Sequence, residues 1–289
     1  MPISPTFRTM IERITAAAAL ATAVPAALHG QQVEFIAHRG ESADAPENTL
    51  ASVNLAWERG VEAVEIDVHL TADDRLVVIH DANTRRTAGV DRVVRESTLA
   101  DLHGLDVGSW KGARWAGEPL PTLEEVLATV PNGRTLFIEV KVGAEAIPAL
   151  ERAIQLHARD AAQLVMISFQ ADAVEASKRR MPEMPSYYLS GFRGDSVSGE
   201  WTPAVDELIA TAREIGADGL DVSVNGPVDA EFVRRVRDAG MRTYIYTVND
   251  EPTARRLVEA GVDGITSDRA AALRREIYPG SAAPDAGKD

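Results

Sequence analysis

The chain has 289 residues, of which 45% are hydrophobic and 26% are charged, with 21 Gly, 15 Pro and no Cys. This is the composition of a globular protein, and it excludes collagen, low-complexity chains, disulfides and thiolate metal sites. The 44 acidic and 30 basic residues give a net charge of −14. That charge disfavours nucleic acid and anionic membrane surfaces as partners, and it suits a site that needs a cation or a soluble exported enzyme.

The two ends of the chain differ from the rest. Arg8 and Arg13 precede residues 14–28, an uncharged run of mostly small residues that is too short to span a membrane. This pattern predicts an export signal over residues 1–30, cleaved near residue 30 to leave a periplasmic or secreted protein. The alternative is an amphipathic helix packed on the domain, which the lack of a polar face disfavours. Residues 279–289 are predicted to form a disordered tail.

Between these ends, short β-branched runs alternate with helical stretches, which is the pattern of a parallel sheet covered by helices. The predicted strands are residues 33–37, 63–68, 135–140, 164–168, 186–189, 219–222, 242–247 and 263–266. The predicted helices are residues 49–59, 123–129, 144–159, 171–180, 204–215, 229–239 and 252–260, with a short one after Asp268. The α/β alternation therefore predicts one eight-stranded parallel (β/α)8 TIM barrel over residues 31–278.

A ninth strand-like run, residues 76–79, follows the second strand too closely for a parallel crossover, which needs a dozen or more residues. The two strands are therefore predicted to form a hairpin. The stretch that follows, about residues 81–121, is long for a connection in a compact fold, and such connections are usually functional. It is predicted to be a small cap inserted after strand two, over the barrel mouth.

Acidic and basic side chains cluster at the predicted strand ends, where barrels of this type place their active sites. Because side chains alternate along a strand, Glu65 and Asp67 share one face, and so do Glu139 and Lys141. Three inward carboxylates form a hard-oxygen set suited to one divalent cation, Mg²⁺ or Ca²⁺. The alternative is a set of salt bridges to Arg39 and Lys141 inside the barrel.

Two histidines, His38 and His80, end separate strands beside these carboxylates. Imidazole changes protonation near neutral pH, so the pair suits a general acid and a general base. His69 shares the face of Asp67 and is interpreted as structural, with a supporting role at the site as the alternative. The other histidines, His29, His103 and His157, are interpreted as structural. Asn48 and Thr49 are interpreted as a helix N-cap, close in sequence to Glu47, which can reach the mouth.

The same residues lie in short motifs with a fixed order. These are AHRG at 37–40, PENT at 46–49, EIDV at 65–68, TADD at 71–74, VVIHD at 77–81, LPTLEE at 120–125, FIEVK at 137–141, SF at 168–169, TVN at 247–249 and GVDGITSD at 261–268. The series closely resembles the ordered motifs of the glycerophosphodiester phosphodiesterase family, and it extends over nearly the whole stretch from Val33 to Asp268.

The resemblance implies a metal-dependent barrel enzyme that cleaves glycerophosphodiesters to an alcohol and sn-glycerol 3-phosphate. Carried over residue by residue, it implies a catalytic pair, three metal carboxylates and two phosphate-contacting cations: His38 and His80; Glu65, Asp67 and Glu139; Arg39 and Lys141. Two positions depart from the family. Tyr246, which the resemblance implies to be a substrate-binding residue, stands where the family often has Trp, and this departure concerns the fit of the glycerol or head group. Asp74 replaces the Gly of a hairpin turn.

Two other functions are compatible with the same barrel. A related phospholipase acting on intact lipid would need an apolar or basic rim, whereas residues 81–121 have mixed charge and only Trp110 and Trp115 as large aromatics. A non-catalytic phosphodiester-binding protein would be expected to lack a histidine or a metal carboxylate, and all are present. The sequence leaves open the head group, the choice of cation, the acid and base assignment, the attacking oxygen and the oligomeric state.

Overall fold

A closed barrel of parallel strands forms the centre of the computed structural model, which describes residues 32–158 and 160–280. The strands are β1 (Glu34–His38), β2 (Ala63–Leu70), β3 (Leu76–Val78), β4 (Thr135–Val140), β5 (Leu164–Ser168), β6 (Ser186–Ser190), β7 (Arg193–Gly194), β8 (Trp201–Thr202), β9 (Gly219–Ser223), β10 (Arg242–Tyr246) and β11 (Gly264–Ser267). Eight of them pair in parallel in the order β1-β2-β4-β5-β6-β9-β10-β11, and β11 pairs back to β1. The predicted eight-stranded barrel is confirmed.

Helices follow the barrel strands and cover them. They are α1 (Leu50–Glu58), α2 (Arg85–Ala88), α3 (Leu99–Leu102), α4 (Leu123–Leu127), α5 (Ile147–His157), α6 (Ala171–Arg180), α7 (Val205–Glu214), α8 (Ala230–Asp238), α9 (Glu251–Ala260) and α10 (Ala270–Ile277). The predicted helix 144–159 begins instead as a 3₁₀ turn, Ala144–Ala146, and becomes α-helical at Ile147. Pro148 explains this boundary, because proline fits only the first turn of an α-helix. In residues 32–158 and 160–280, no helix combines the length and hydrophobicity needed to cross a bilayer.

Strand side chains alternate between the interior of the barrel and the helical layer. On β2, Val64, Ile66 and Val68 are fully buried in the large outer core beneath the helices. The interior holds a second, smaller cluster in which the rings of Tyr187 and Tyr244 stack with centroids 4.9 Å apart. These side chains fill the barrel, so the space available to a ligand lies at its mouth.

The predicted hairpin is present, because β2 and β3 pair antiparallel. Residues 81–121 follow it with the short helices α2 and α3 and a hydrophobic cluster of their own, made of Val94, Leu102, Val107 and Leu120 together with Val77 and Ile79 of the hairpin. This segment is called the insertion below. The hairpin β7–β8 was not predicted, because strands of two residues leave no periodic pattern in a sequence.

The predictions for residues 1–30, and all but two residues of the predicted tail 279–289, lie outside the described residues.

Candidate active site

The three predicted metal carboxylates meet at one end of the barrel. Glu65 and Asp67 lie on β2, and Glu139 lies on β4, where it is the register partner of Asp67. All three side chains are buried, and each offers an oxygen within 4.8 Å of the others. Alternation along two neighbouring strands thus produces the cluster that the sequence predicts.

Burial and mutual repulsion act strongly on these carboxyl groups. Burial, together with the charges of Asp67 and Glu139, raises the pKa of Glu65 well above its ordinary value. Burial and Asp67 raise the pKa of Glu139 to about 7. Burial opposes ionisation of Asp67 too, but Lys141 and Arg39 outweigh it and lower its pKa to about 2. Burial and mutual repulsion therefore disfavour the state in which all three groups carry charge, and a bound cation would favour it.

The alternative interpretation, a set of internal salt bridges, accounts for part of the cluster. Lys141 Nζ lies 2.6 Å from Glu139 Oε1 and 3.2 Å from Asp67 Oδ1, and Arg39 Nε lies 3.2 Å from Asp67 Oδ2. Glu65 is less satisfied: its Oε2 accepts the Arg39 backbone N–H at 2.9 Å, but its buried Oε1 has no hydrogen-bond partner among the described residues. A buried carboxylate oxygen without a partner is costly. The donor set therefore fits a divalent cation, which these three carboxylates can hold.

Asn48 belongs to this cluster, contrary to its interpretation as part of a helix cap. Its Nδ2 donates to Asp67 Oδ2 at 2.8 Å, and its Oδ1 accepts the Asp67 backbone N–H at 3.0 Å. Thr49 alone is the N-cap of α1, where its side chain accepts the Ser52 N–H. The Asn48 side chain therefore fixes the orientation of one carboxylate, because it contacts both the backbone and the side chain of Asp67.

His38 lies beside the cluster, at the register position opposite Glu65. Its Nδ1 is 2.6 Å from Asp268 Oδ1, and Ser42 and Asn249 also donate to the Asp268 carboxylate. Burial opposes ionisation of Asp268, but the contacts with His38 outweigh it and lower the pKa of Asp268 to about 2. A carboxylate on Nδ1 fixes the ring and leaves Nε2 for proton transfer. The role of Asp268 was not predicted, although the residue ends a motif.

His80 has a matching carboxylate. Its Nδ1 is 2.8 Å from Asp81 Oδ1, and Arg86 Nε donates to Asp81 Oδ2 at 2.8 Å. The hydrogen bond from Arg86 is the main cause that lowers the pKa of Asp81 to about 2. His69 lies behind, where its Nε2 contacts the His80 carbonyl oxygen at 3.1 Å and burial lowers its pKa. Both predicted catalytic histidines thus present Nε2 with Nδ1 held by an aspartate.

Glu47 does reach the mouth, where it connects two arginines. Arg39 Nη1 donates to Glu47 Oε1 at 2.8 Å, and Arg86 donates to both carboxylate oxygens of Glu47 at 2.8 and 2.7 Å. Since Arg86 also contacts Asp81, one side chain of the insertion joins the loop that follows β1 to the loop that carries His80. This connection was not predicted, because it joins segments 39 residues apart.

An open cleft of about 490 Å³ lies beside His38. Its lining residues are His38, Arg39, Ser42, Ala43, Glu47, Trp110, Lys111, Asn249, Asp268 and Arg269.

Tyr246, predicted to contact substrate, lies in the barrel wall, where its hydroxyl donates to the Ser190 carbonyl at 3.1 Å and burial raises its pKa. Among the remaining histidines, His103 contacts the Leu120 carbonyl within the insertion, His157 ends α5, and His29 lies outside the described residues.

Comparison with known proteins agrees with this geometry. Residues 38–272 match the model of the glycerophosphoryl diester phosphodiesterase family. This chain belongs to that family. As a glycerophosphoryl diester phosphodiesterase it is a phosphoric diester hydrolase, and the matched range begins at His38 and includes the three carboxylates and Asp268.

The alignments with individual relatives extend over most of this phosphodiesterase. YhdW of Bacillus subtilis is 33% identical over 236 residues, which is 81% of this chain and 93% of that protein. A glycerophosphodiester phosphodiesterase of Caldanaerobacter subterraneus is 30% identical over 237 residues, again 81% of this chain and 93% of the relative. A phosphodiesterase of Oleispira antarctica, solved in complex with its product sn-glycerol 3-phosphate, is 31% identical with a TM-score of 0.75, covering 84% of this chain and 96% of that one.

Proposed function

We propose that this phosphodiesterase hydrolyses glycerophosphodiesters to an alcohol and sn-glycerol 3-phosphate, with a divalent cation and with two histidines as acid and base. The observation that carries the proposal is the position of His38 and His80, each held at Nδ1 by an aspartate, around one cluster of three buried carboxylates. The product complex of the relative from Oleispira antarctica supports the choice of substrate class.

Glu65, Asp67 and Glu139 would hold one cation, Mg²⁺ or Ca²⁺. When bound, such an ion supplies Lewis-acid stabilisation of the negative charge that develops on the phosphoryl oxygens. Asn48 keeps the Asp67 carboxylate oriented through two hydrogen bonds, and the unpartnered Glu65 Oε1 gives the ion a free donor atom.

The two histidines divide the proton transfers. Nε2 of one ring removes the proton from the attacking oxygen, and Nε2 of the other donates a proton to the leaving alcohol. Asp268 and Asp81 hold the rings of His38 and His80 in place and stabilise the imidazolium that forms at whichever ring accepts the proton. The attacking oxygen is either water or a neighbouring glycerol hydroxyl, and phosphorus NMR of the early products distinguishes them, since only the second route gives a cyclic phosphate.

Arg39 and Lys141 are the cations that would contact the substrate phosphate. Arg39 contacts Glu47, and Lys141 contacts Asp67 and Glu139. These ion pairs position both cations at the mouth of the barrel. Arg39 lines the cleft beside His38 and presents a planar donor fork suited to phosphate oxygens. Tyr246 would contact the glycerol or head group from the barrel wall.

The test is release of sn-glycerol 3-phosphate from a panel of glycerophosphodiesters, with and without chelator and with the cation added back. The proposal expects release that chelator abolishes and added cation restores. Binding of cation and diester without any release would favour a non-catalytic phosphodiester-binding protein. Cleavage of intact phospholipid in vesicles, without cleavage of the soluble diesters, would favour a phospholipase.

We also propose that residues 1–30 are removed on export and that the mature enzyme is periplasmic or secreted. Two arginines followed by an uncharged run of small residues support this proposal. Mass spectrometry of the exported protein should find an N-terminus near Gln31. A folded, exported protein that retains residues 1–30 would contradict cleavage.

A further inference from the structure

The insertion contributes two neighbouring side chains to the cleft beside His38. Trp110 and Lys111 line the same cleft as His38 and Arg39, and Trp110 is 42% exposed. The Trp110 indole N–H donates to the Val107 carbonyl at 2.8 Å, which fixes the ring. The Lys111 ammonium lies 5.7 Å from the centroid of that ring. A flat apolar surface and a positive charge therefore lie together at the edge of the candidate active site.

Lys111 differs from the other charged groups of the cleft. Each of the others has an oppositely charged partner: Arg39 with Glu47, His38 with Asp268, and Arg269 with Glu276. Within residues 32–158 and 160–280, Lys111 forms no ion pair, and its Nζ donates instead to the Ser42 carbonyl at 2.6 Å. Because an ammonium has three donors, two of them remain for a ligand. The cleft thus holds an uncompensated positive charge on a chain whose net charge is −14.

The Lys111 ammonium lies on one side of the candidate active site. Lys111 contacts Ser42, whose hydroxyl donates to Asp268, the partner of His38, at 3.2 Å. Lys141 contacts Asp67 and Glu139 within the carboxylate cluster. Lys111 therefore lies in the cleft on the His38 side of the site, and Lys141 lies on the side of the carboxylate cluster.

We propose that Lys111, with the ring of Trp110, binds an anionic head group and so selects glycerophosphodiesters whose alcohol carries a carboxylate. This rests on the proposed function, because it names the class of diester that the same site takes. The ammonium forms charge-assisted hydrogen bonds with the carboxylate, and the indole face covers the carbon atoms of the alcohol. Glycerophosphoserine and glycerophosphoethanolamine test this directly, since their head groups differ by that carboxylate alone.

The experiment compares kcat/KM for these two diesters in the wild type and in Lys111→Met at saturating divalent cation. We expect the wild type to prefer the serine diester. In Lys111→Met the ratio of kcat/KM for the serine diester to kcat/KM for the ethanolamine diester should fall about 10-fold, mainly because kcat/KM for the serine diester falls. A 10-fold change corresponds to about 1.4 kcal/mol, the size expected for the loss of one charge-assisted hydrogen bond. The matched control is Arg114→Met, which removes a cation of the same insertion that packs on Trp115, and it should leave the ratio unchanged.

Three outcomes would overturn the proposal. An equal loss of kcat/KM for both diesters in Lys111→Met would mean that Lys111 binds the phosphate. No loss of kcat/KM would mean that Lys111 does not contact the substrate. A wild-type preference for the ethanolamine diester would be opposite to the predicted preference. Calorimetry of both diesters with the metal-free protein gives a readout independent of turnover, and Lys111→Met should weaken only the serine diester. If no diester releases sn-glycerol 3-phosphate, the proposed function fails, while calorimetry still decides the head-group preference.

Discussion

Replacing Asp221 tests the electrostatics of the barrel interior, because the effect can be measured as a change in protein stability. Asp221 lies on β9, it is 1% exposed, and its Oδ1 has no hydrogen-bond partner in the part of the chain that the structure describes. Burial and the charge of Glu139 raise its pKa well above the ordinary value of an aspartate. The fold therefore holds this carboxyl in a place that disfavours its charged form. Replacing it by the isosteric, uncharged Asn should raise the stability of the protein at neutral pH.

The sign of this change in stability follows from the difference between the pKa of Asp221 in the folded state and its pKa in the unfolded state. Near pH 4 the carboxyl is about half protonated in the unfolded state and more so in the folded state, so the cost of keeping it uncharged is small. As the pH rises, the unfolded state ionises and the folded state resists, so the cost grows until the pH passes the folded pKa. Asn has no charged form, so Asp221→Asn removes this ionisation cost, which corresponds to about 1.4 kcal/mol for each pH unit between the unfolded and folded pKa. We therefore expect Asp221→Asn to raise Tm at pH 7.5 by about 4–8 °C, using about 2 kcal/mol and about 2–4 °C per kcal/mol.

Thermal unfolding at pH 4.0 and 7.5, followed by circular dichroism in excess chelator, measures this difference without a contribution from cation binding. The matched control is Asp218→Asn. The Asp218 carboxylate accepts the Ser186 N–H at 2.8 Å and lies 2.9 Å from Lys178 Nζ, so this variant should lower Tm. A lower Tm for Asp221→Asn at pH 7.5, or an equal gain at both pH values, would refute the reasoning.

Three further predictions concern the site. Glu65→Gln should weaken divalent-cation binding more than about 10-fold in calorimetry, because it alters a hard-oxygen ligand, and undiminished turnover after exhaustive chelation would contradict the cation proposal. His38→Ala and His80→Ala should each lower kcat about 10²- to 10⁴-fold with nearly unchanged cation affinity, and a nitrophenyl diester should rescue only the variant lacking the general acid. Near-normal kcat in both would show that neither transfers protons. Arg86→Ala should lower kcat about 10-fold by releasing Asp81, with partial recovery in Arg86→Lys, and an unchanged kcat would show that Arg86 does not position His80.

Local patterns determined the barrel and the carboxylate cluster. Alternation of strand and helix gave the eight parallel strands, because each unit must bury one face against its neighbours. Glu65 and Asp67 are two residues apart on one strand, so they share a face in any register. Glu139 occupies the matching position on the neighbouring parallel strand, and barrel geometry brings the three together.

The partners of these groups were decided only by the tertiary structure. Asp268 lies 230 residues from His38, yet it contacts that ring because barrel closure places the end of β11 beside the end of β1. Arg86 and Lys111 reach the mouth only because the insertion folds on its own hydrophobic cluster. Strand periodicity fixes the face that a side chain occupies. It does not fix the conformations of loops from distant strands, and it is those loops that supply the contacts.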